Sequence, residues 1–171
     1  GLKVEDEITE AEIEEIVKKA NFQKTLDKLL RFVTLRPRSE KEIRVWLKKY
    51  KIHESLFKEL FNRLKRLDLI DDQKFARWWV EQRMSFRPKS KRILNNELRI
   101  KGLNKNIIED VLSEIEIDEI KIAKKLLEKK KYKWEKLPIL EARKKMGDFL
   151  ARKGFAWDKV KKAIDALTKN D

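Results

Sequence analysis

Side chains able to do covalent chemistry are scarce in this chain, and side chains able to hold an anion are abundant. The single histidine, His53, has no second histidine and no cysteine to join it in a metal site or a nucleophile pair. Its register with Asn104 and Ala156, set out below, marks it as a helix-cap or turn residue. Asp71 and Asp72 are adjacent carboxylates that in principle hold a divalent ion or do acid–base work. At a helix start they are better read as a cap and a first-turn charge, the latter favoured by the helix dipole by roughly 0.3–1 kcal/mol. The four glycines form no phosphate-cradling loop. This inventory argues against an enzyme and implies no cofactor and no metal.

The cations are arranged differently. Arg83, Arg87, Lys89, Lys91 and Arg92 stand together with no acidic residue between Glu81 and Glu97. Arg36, Arg38 and Lys41 are their counterparts upstream. The strings RPRS at 36–39 and RPKS at 87–90 are 51 residues apart, and in both two cations flank a proline where a loop enters a helix. Such a loop projects its cations, and the helix N-terminus adds free amides, which suits phosphate contacts. A solvated loop is the other reading; the recurrence and the net charge favour contact. The lysines from Lys121 to Lys133 spread around another helix end and read first as a solvated face. Trp78, half-exposed by its place beside the buried stripe of Trp79, fits either base stacking or a module interface. Tyr132 and Trp134, interleaved with lysines, leave the same choice.

The elements that must position these residues repeat. Leu47, Leu98 and Leu150 share a register, as do Ile52, Leu103 and Phe155, then Phe57, Ile108 and Val160, then Leu60, Val111 and Ala163, then Leu64, Ile115 and Leu167. The offsets are 51 residues (98 − 47) and 52 residues (150 − 98). Thr9-x-x-Glu12 and Ser39-x-x-Glu42 are capping boxes, and Ser90 and Asn104 are further N-caps. Gly102 and Gly154 close helices in left-handed conformation; Lys51 stands at the equivalent place of the first copy, so a different cap is expected there. A helix over about 10–20 is predicted to turn Ile13, Ile16, Val17 and Ala20 inward. It either continues past Asn21 or breaks there. Leu140, Met146, Phe149 and Leu150 are assigned to one buried face of the third copy.

The predicted architecture is all-α: an acidic N-terminal leader helix (1–20) and three tandem three-helix, helix-turn-helix-like repeats (21–70, 71–116 and 117–171). Short bundles bury little core alone, so the repeats are expected to pack end to end as an elongated, curved array. The 171 residues carry a net charge of +14, distributed as −4, +8, +2 and +8 over those four segments. A basic body with an acidic leader points to nucleic acid or another polyanion. With 43% charged residues and only seven Gly plus Pro, long solvated helices are favoured. The absence of cysteine excludes disulfides and fits a reducing cytoplasm, the expected location. No apolar run approaches a membrane span, and the acidic start is unlike a signal peptide.

The segment DDQKFARWWVEQRMSFRPKSKRILNNELRIKGLNKNIIEDVL, 71–112, resembles the central module of the RecX regulatory proteins. Asp71, Asp72, Phe75, Ala76, Arg83, Leu98, Lys101, Gly102 and Leu103 fill the places of that family's pattern. In the first copy Ser39, Glu42 and Leu47 match its Arg-x-Arg-Ser-x-x-Glu-Leu entry, with Ile43 for the usual Leu. The resemblance covers roughly residues 24–168; the third copy lacks the paired acids and the Arg-Pro loop. It implies a non-enzymatic regulator that lies in the groove of the RecA–DNA filament and inhibits its ATPase and strand exchange; a monomer is expected, though the sequence does not fix the oligomeric state. Single- or double-stranded DNA is a further expected partner. The basic residues Arg36, Arg38, Arg83, Arg87, Lys89, Lys91 and Arg92 are the expected filament or DNA contacts, and Asp71, Asp72, Phe75, Ala76, Leu98 and Gly102 the architectural ones. A direct DNA- or RNA-binding repeat protein is the alternative, and a scaffold joining other proteins a third.

Overall fold

A computed structural model describes residues 8–169, and among them the chain is all helical. The helices are α1 (Glu10–Thr34), α2 (Glu40–Lys49), α3 (Phe57–Arg66), α4 (Asp72–Phe86), α5 (Lys91–Ile100), α6 (Lys105–Glu114), α7 (Glu119–Lys129), α8 (Ile139–Arg152) and α9 (Trp157–Thr168). Short 3₁₀ turns occupy Glu54–Leu56 and Lys131–Lys133. Two compact units result, one ending at Asp71 and one beginning at Asp72.

Three apolar clusters correspond to three helix triplets. Leu29, Ile43, Leu47, Leu60 and Leu64 are sealed at the centre of α1–α3. Phe75, Ala76, Leu94, Leu98, Ile108 and Val111 form the core of α4–α6. Ala123, Leu127, Met146, Leu150, Val160 and Ala163 form that of α7–α9. Each core is assembled from the periodic positions of its own three helices, because a ten-residue helix is only about 15 Å long and gains its stability from packing one face.

The repeat is written into the backbone of the second helix-to-helix turn. In each triplet the second residue after the second helix donates its amide three residues back, and the next residue donates five back. Lys51 N bonds Lys48 O (3.0 Å) and Ile52 N bonds Leu47 O (3.0 Å); Gly102 and Leu103 bond Arg99 O and Leu98 O; Gly154 and Phe155 bond Ala151 O and Leu150 O. These are Schellman closures, which need a left-handed residue. Gly102 and Gly154 supply φ of 84° and 87°, and Lys51 adopts 55° in the same role. The different cap expected at Lys51 is therefore not formed: the paired hydrogen bonds hold a lysine in a conformation that glycine adopts more cheaply. Lys51→Gly is expected to stabilise the first unit by about 0.5–1 kcal/mol, the left-handed penalty less the added entropy of an unfolded glycine. A rise in the urea midpoint at unchanged m-value checks it.

The N-caps follow the hydroxyls and amides. Thr9 and Ser39 each complete a capping box with Glu12 and Glu42, while Ser90 accepts from Ile93 N and Asn104 from Asn106 N. His53 caps the 3₁₀ turn before α3, its Nδ1 accepting from Ser55 N at 3.2 Å.

Two assignments of buried faces are corrected. α1 runs unbroken through residue 21, and its first half is solvated: Ile13, Ile16 and Val17 are 50–55% exposed and Ala20 is exposed too. The period defines a face, but only residues from Phe22 onward pack against the first core. Glu5, Asp6 and Glu7 of the acidic leader lie outside the described residues. Leu140 is 80% exposed. It sits about 120° round the helix from Met146, above Arg143 and Lys144. Trp134, by contrast, is core, packed on Phe149 with ring centroids 5.6 Å apart.

Within the second unit the middle and last triplets are joined by two polar contacts, one buried and one exposed. The Ser90 hydroxyl, 1% exposed, donates to Gly154 O at 2.9 Å, and Lys91 N donates to Glu119 Oε1 at 2.7 Å.

Candidate functional site

The candidate site grows out of the Arg-Pro loops. α4 ends at Phe86, Arg87 N still bonds Arg83 O at 2.8 Å, and Pro88 cannot extend the helix. The chain then turns through Lys89 to Ser90, whose hydroxyl caps α5. In the first triplet α1 ends at Thr34, and Ser39 caps α2 after Arg36-Pro37-Arg38. Both loops thus deliver cations to a helix start.

Most of those cations are engaged by the protein itself. Arg36 grips Glu42 with both guanidinium nitrogens, at 2.9 and 3.2 Å, and donates to Pro37 O at 2.8 Å. Arg38 lies over the Phe32 ring, 3.9 Å from its centroid, and donates to Phe32 O at 3.3 Å. Burial and the neighbouring charge of Arg36 lower the Arg38 pKa from the ordinary guanidinium value. In the second triplet Glu97 is a hub. Its carboxylate accepts from Trp79 Nε1 and Arg83 Nε, both at 2.9 Å, and from Lys89 Nζ. Arg83 and Lys101 also stack on the Trp79 ring, 4.5 and 4.8 Å from its centroid. Four of the seven contact cations read from the sequence (Arg36, Arg38, Arg83 and Lys89) therefore hold the loops in shape.

Glu97 has a pKa below the usual carboxylate range. Burial pushes it up, but the hydrogen bonds from Lys89 and Trp79 and the charges of Lys89 and Arg83 outweigh that. A depressed carboxylate contributes stability that is present above its unfolded value, near 4.3, and is lost as pH falls through the lower folded value. Glu97→Gln is expected to cost about 1–2 kcal/mol at neutral pH. The gap from wild type should close as pH falls below the unfolded value and through the lower folded one, which urea titrations at stepped pH would read.

Arg87, Lys91 and Arg92 behave otherwise. All three side chains are exposed, and they form no ion pair among the described residues. Beside them a groove of about 760 Å³ runs between α5 and α6, lined by Lys91, Arg92, Asn95, Asn96, Arg99, Glu109 and Ser113. Arg92, Asn95, Asn96 and Arg99 follow one another at i, i+3, i+4 and i+7, one polar stripe on one helix face. Their hydrogen-bond donors suit phosphates, carboxylates or base edges. Sequence reading passed over Arg99 and the two asparagines, although their helical spacing was visible. It also missed Glu97, whose partners lie 8, 14 and 18 residues away with no local period.

Of the architectural residues, Phe75, Ala76 and Leu98 are buried, Gly102 closes α5, and Asp71 and Asp72 stand at the start of α4. Trp78 is half-buried against Phe75 and Trp79. Among the described residues no cluster of three His, Asp or Glu is placed to hold a metal ion, and no helix is long and apolar enough to cross a membrane.

Comparison with known proteins places this arrangement. The family model described as RecX, second three-helix domain, matches residues 71–112, and that described as RecX, third three-helix domain, matches 116–164; together they take in more than half of the chain. The regulatory protein RecX of Finegoldia magna is 33% identical over 148 residues, 83% of this chain and 71% of that protein. That of Streptococcus sanguinis is 32% identical over 163 residues, 94% of this chain, which spans only 62% of that relative's length. The crystal structure of RecX from Lactobacillus salivarius is similar with a TM-score of 0.75 at 26% identity, covering 88% of this chain and 98% of that one. The all-helical triplets and the sequence matches agree, and the chain belongs to the RecX family of regulatory proteins.

Proposed function

We propose that this chain regulates the RecA recombinase by binding the RecA–DNA filament along its groove, lowering ATP hydrolysis and strand exchange without catalytic chemistry of its own. The observation that carries the reading is the family match across two consecutive triplets that also hold the exposed cations. Tandem modules add weak contacts through effective concentration, by about 10²-fold or more when several engage together. Arg87, Lys91, Arg92 and the groove beside them supply donors for acidic protein surfaces or for phosphates.

The same stripe supports a second reading, direct binding of DNA or RNA. Arginine and asparagine spaced along one helix face are the residue types that read base edges as well as phosphates. One experiment separates the two. The protein is titrated into RecA hydrolysing ATP on single-stranded DNA, and its binding to the bare DNA is measured in the same buffer. Inhibition well below the concentration that coats DNA is the expected result. Inhibition only once free DNA is saturated would assign the effect to competition for DNA, and no inhibition would remove the recombinase from the proposal.

A further inference from the structure

The turn between α7 and α8 holds a second basic surface that differs in kind from the Arg-Pro loops. Residues 129–136 carry five lysines against one glutamate, Glu135, with Tyr132 and Trp134 among them. The two aromatics have opposite fates. Trp134 is 6% exposed and packs on Phe149, whereas Tyr132 is 66% exposed.

The turn is rigid because its backbone is tied down. Lys133 N bonds Lys130 O (2.9 Å), Trp134 N and Glu135 N bond Lys131 O (3.0 and 3.1 Å), and Leu137 N bonds Trp134 O (3.1 Å). The buried indole anchors this frame to α8. Lys130 lies over the Phe149 ring at 4.9 Å. Lys129, Lys133 and Lys136 are exposed and form no ion pair among the described residues. A phenol is thus held in solvent on a pinned turn, with ammonium groups on both sides.

We propose that this turn is a contact site for single-stranded DNA, with Tyr132 as a stacking platform for one unpaired base and Lys129, Lys133 and Lys136 as phosphate contacts. An aromatic platform flanked by cations fits a single strand better than a duplex, because stacked and paired bases offer no free face. An acidic protein surface would reward the lysines without requiring the ring, and an apolar partner would reward the ring without the lysines, whereas a single strand offers both a base face and phosphates. The site does not depend on the recombinase reading, since it is tested on bare DNA.

The test uses the whole chain and a fluorescein-labelled oligothymidylate, with binding followed by anisotropy. Tyr132→Ala is expected to weaken binding roughly ten-fold or more, and Tyr132→Phe, which keeps the ring, to retain it. Duplex binding should be unchanged in both. Replacing Lys129, Lys133 and Lys136 by Ala should flatten the slope of log affinity against log salt by roughly two. Thermal melting confirms that each variant is folded, as an exposed position allows. Wild-type affinity in Tyr132→Ala, an equal loss on duplex and single strand, or no binding of the oligothymidylate by the native protein would each overturn the proposal.

Discussion

Gly154→Ala is expected to open the joint between the second and third triplets and to cost about 3–5 kcal/mol. Three effects act on one atom. The backbone sits at φ 87°, where a Cβ is strained by roughly 1–2 kcal/mol. That Cβ would lie inside the van der Waals shell of Ile93, 2.7 Å from its Cδ1, and 2.9 Å from Ser90 Oγ. Making room pushes α5 away from the turn, so the buried Ser90–Gly154 hydrogen bond is stretched as well. Gly147, within α8, is the control. A Cβ there meets Trp157, Ile164 and Val160 at ordinary contact distances of 3.7–4.0 Å. Gly147→Ala should therefore be neutral or stabilising by up to about 1 kcal/mol, through helix propensity. Denaturant midpoints for the pair, at constant m-value, decide the matter. Equal midpoints would mean that neither the left-handed strain nor the crowding at the joint carries the cost assigned to it.

The contrast between these glycines shows what was legible in the chain and why. Gly154 stands in register with Gly102, and the 51- and 52-residue offsets bring Leu47, Leu98 and Leu150 into one hydrogen-bonding role. Closures of this kind are local, spanning three to five residues, so a repeat in sequence becomes a repeat in backbone. The capping boxes at Thr9 and Ser39 were readable for the same reason. Amphipathic period was a weaker guide. It marks a face but not what covers it, which is why Ile13, Ile16 and Val17 were assigned inward and stand exposed. Lys51 shows the limit of residue type as a signal: two hydrogen bonds impose the left-handed turn whatever side chain occupies it.

The basic loops were legible as composition and illegible as pairing. Whether a cation is offered to a partner depends on which carboxylate the loop carries it past, and Pro88 sets that path. Lys89 reaches Glu97 across eight residues, Arg83 reaches it from the helix before, and Arg36 folds back on Glu42. A run of like charge thus divides into residues that shape the loop and residues that face solvent. Substituting the first group should act through stability, and substituting the second through binding.

That division carries the larger functional effect. Replacing Arg87, Lys91 and Arg92 together by Glu is expected to raise the concentration needed for half-inhibition of RecA on the order of a hundred-fold. Each exposed contact is worth up to about 1 kcal/mol, and reversal adds repulsion to the loss. The melting curve should stay within about 1 kcal/mol of wild type, because none of the three forms an ion pair among the described residues. Arg83→Ala should show the opposite pattern. It removes a bond that Glu97 accepts and a cation over Trp79, so stability falls while the exposed trio remains in place. If the folded triple variant inhibits like wild type, the filament contact lies elsewhere on the chain. If Arg83→Ala lowers inhibition without lowering stability, Arg83 itself meets the partner, and its bond to Glu97 must exchange on binding.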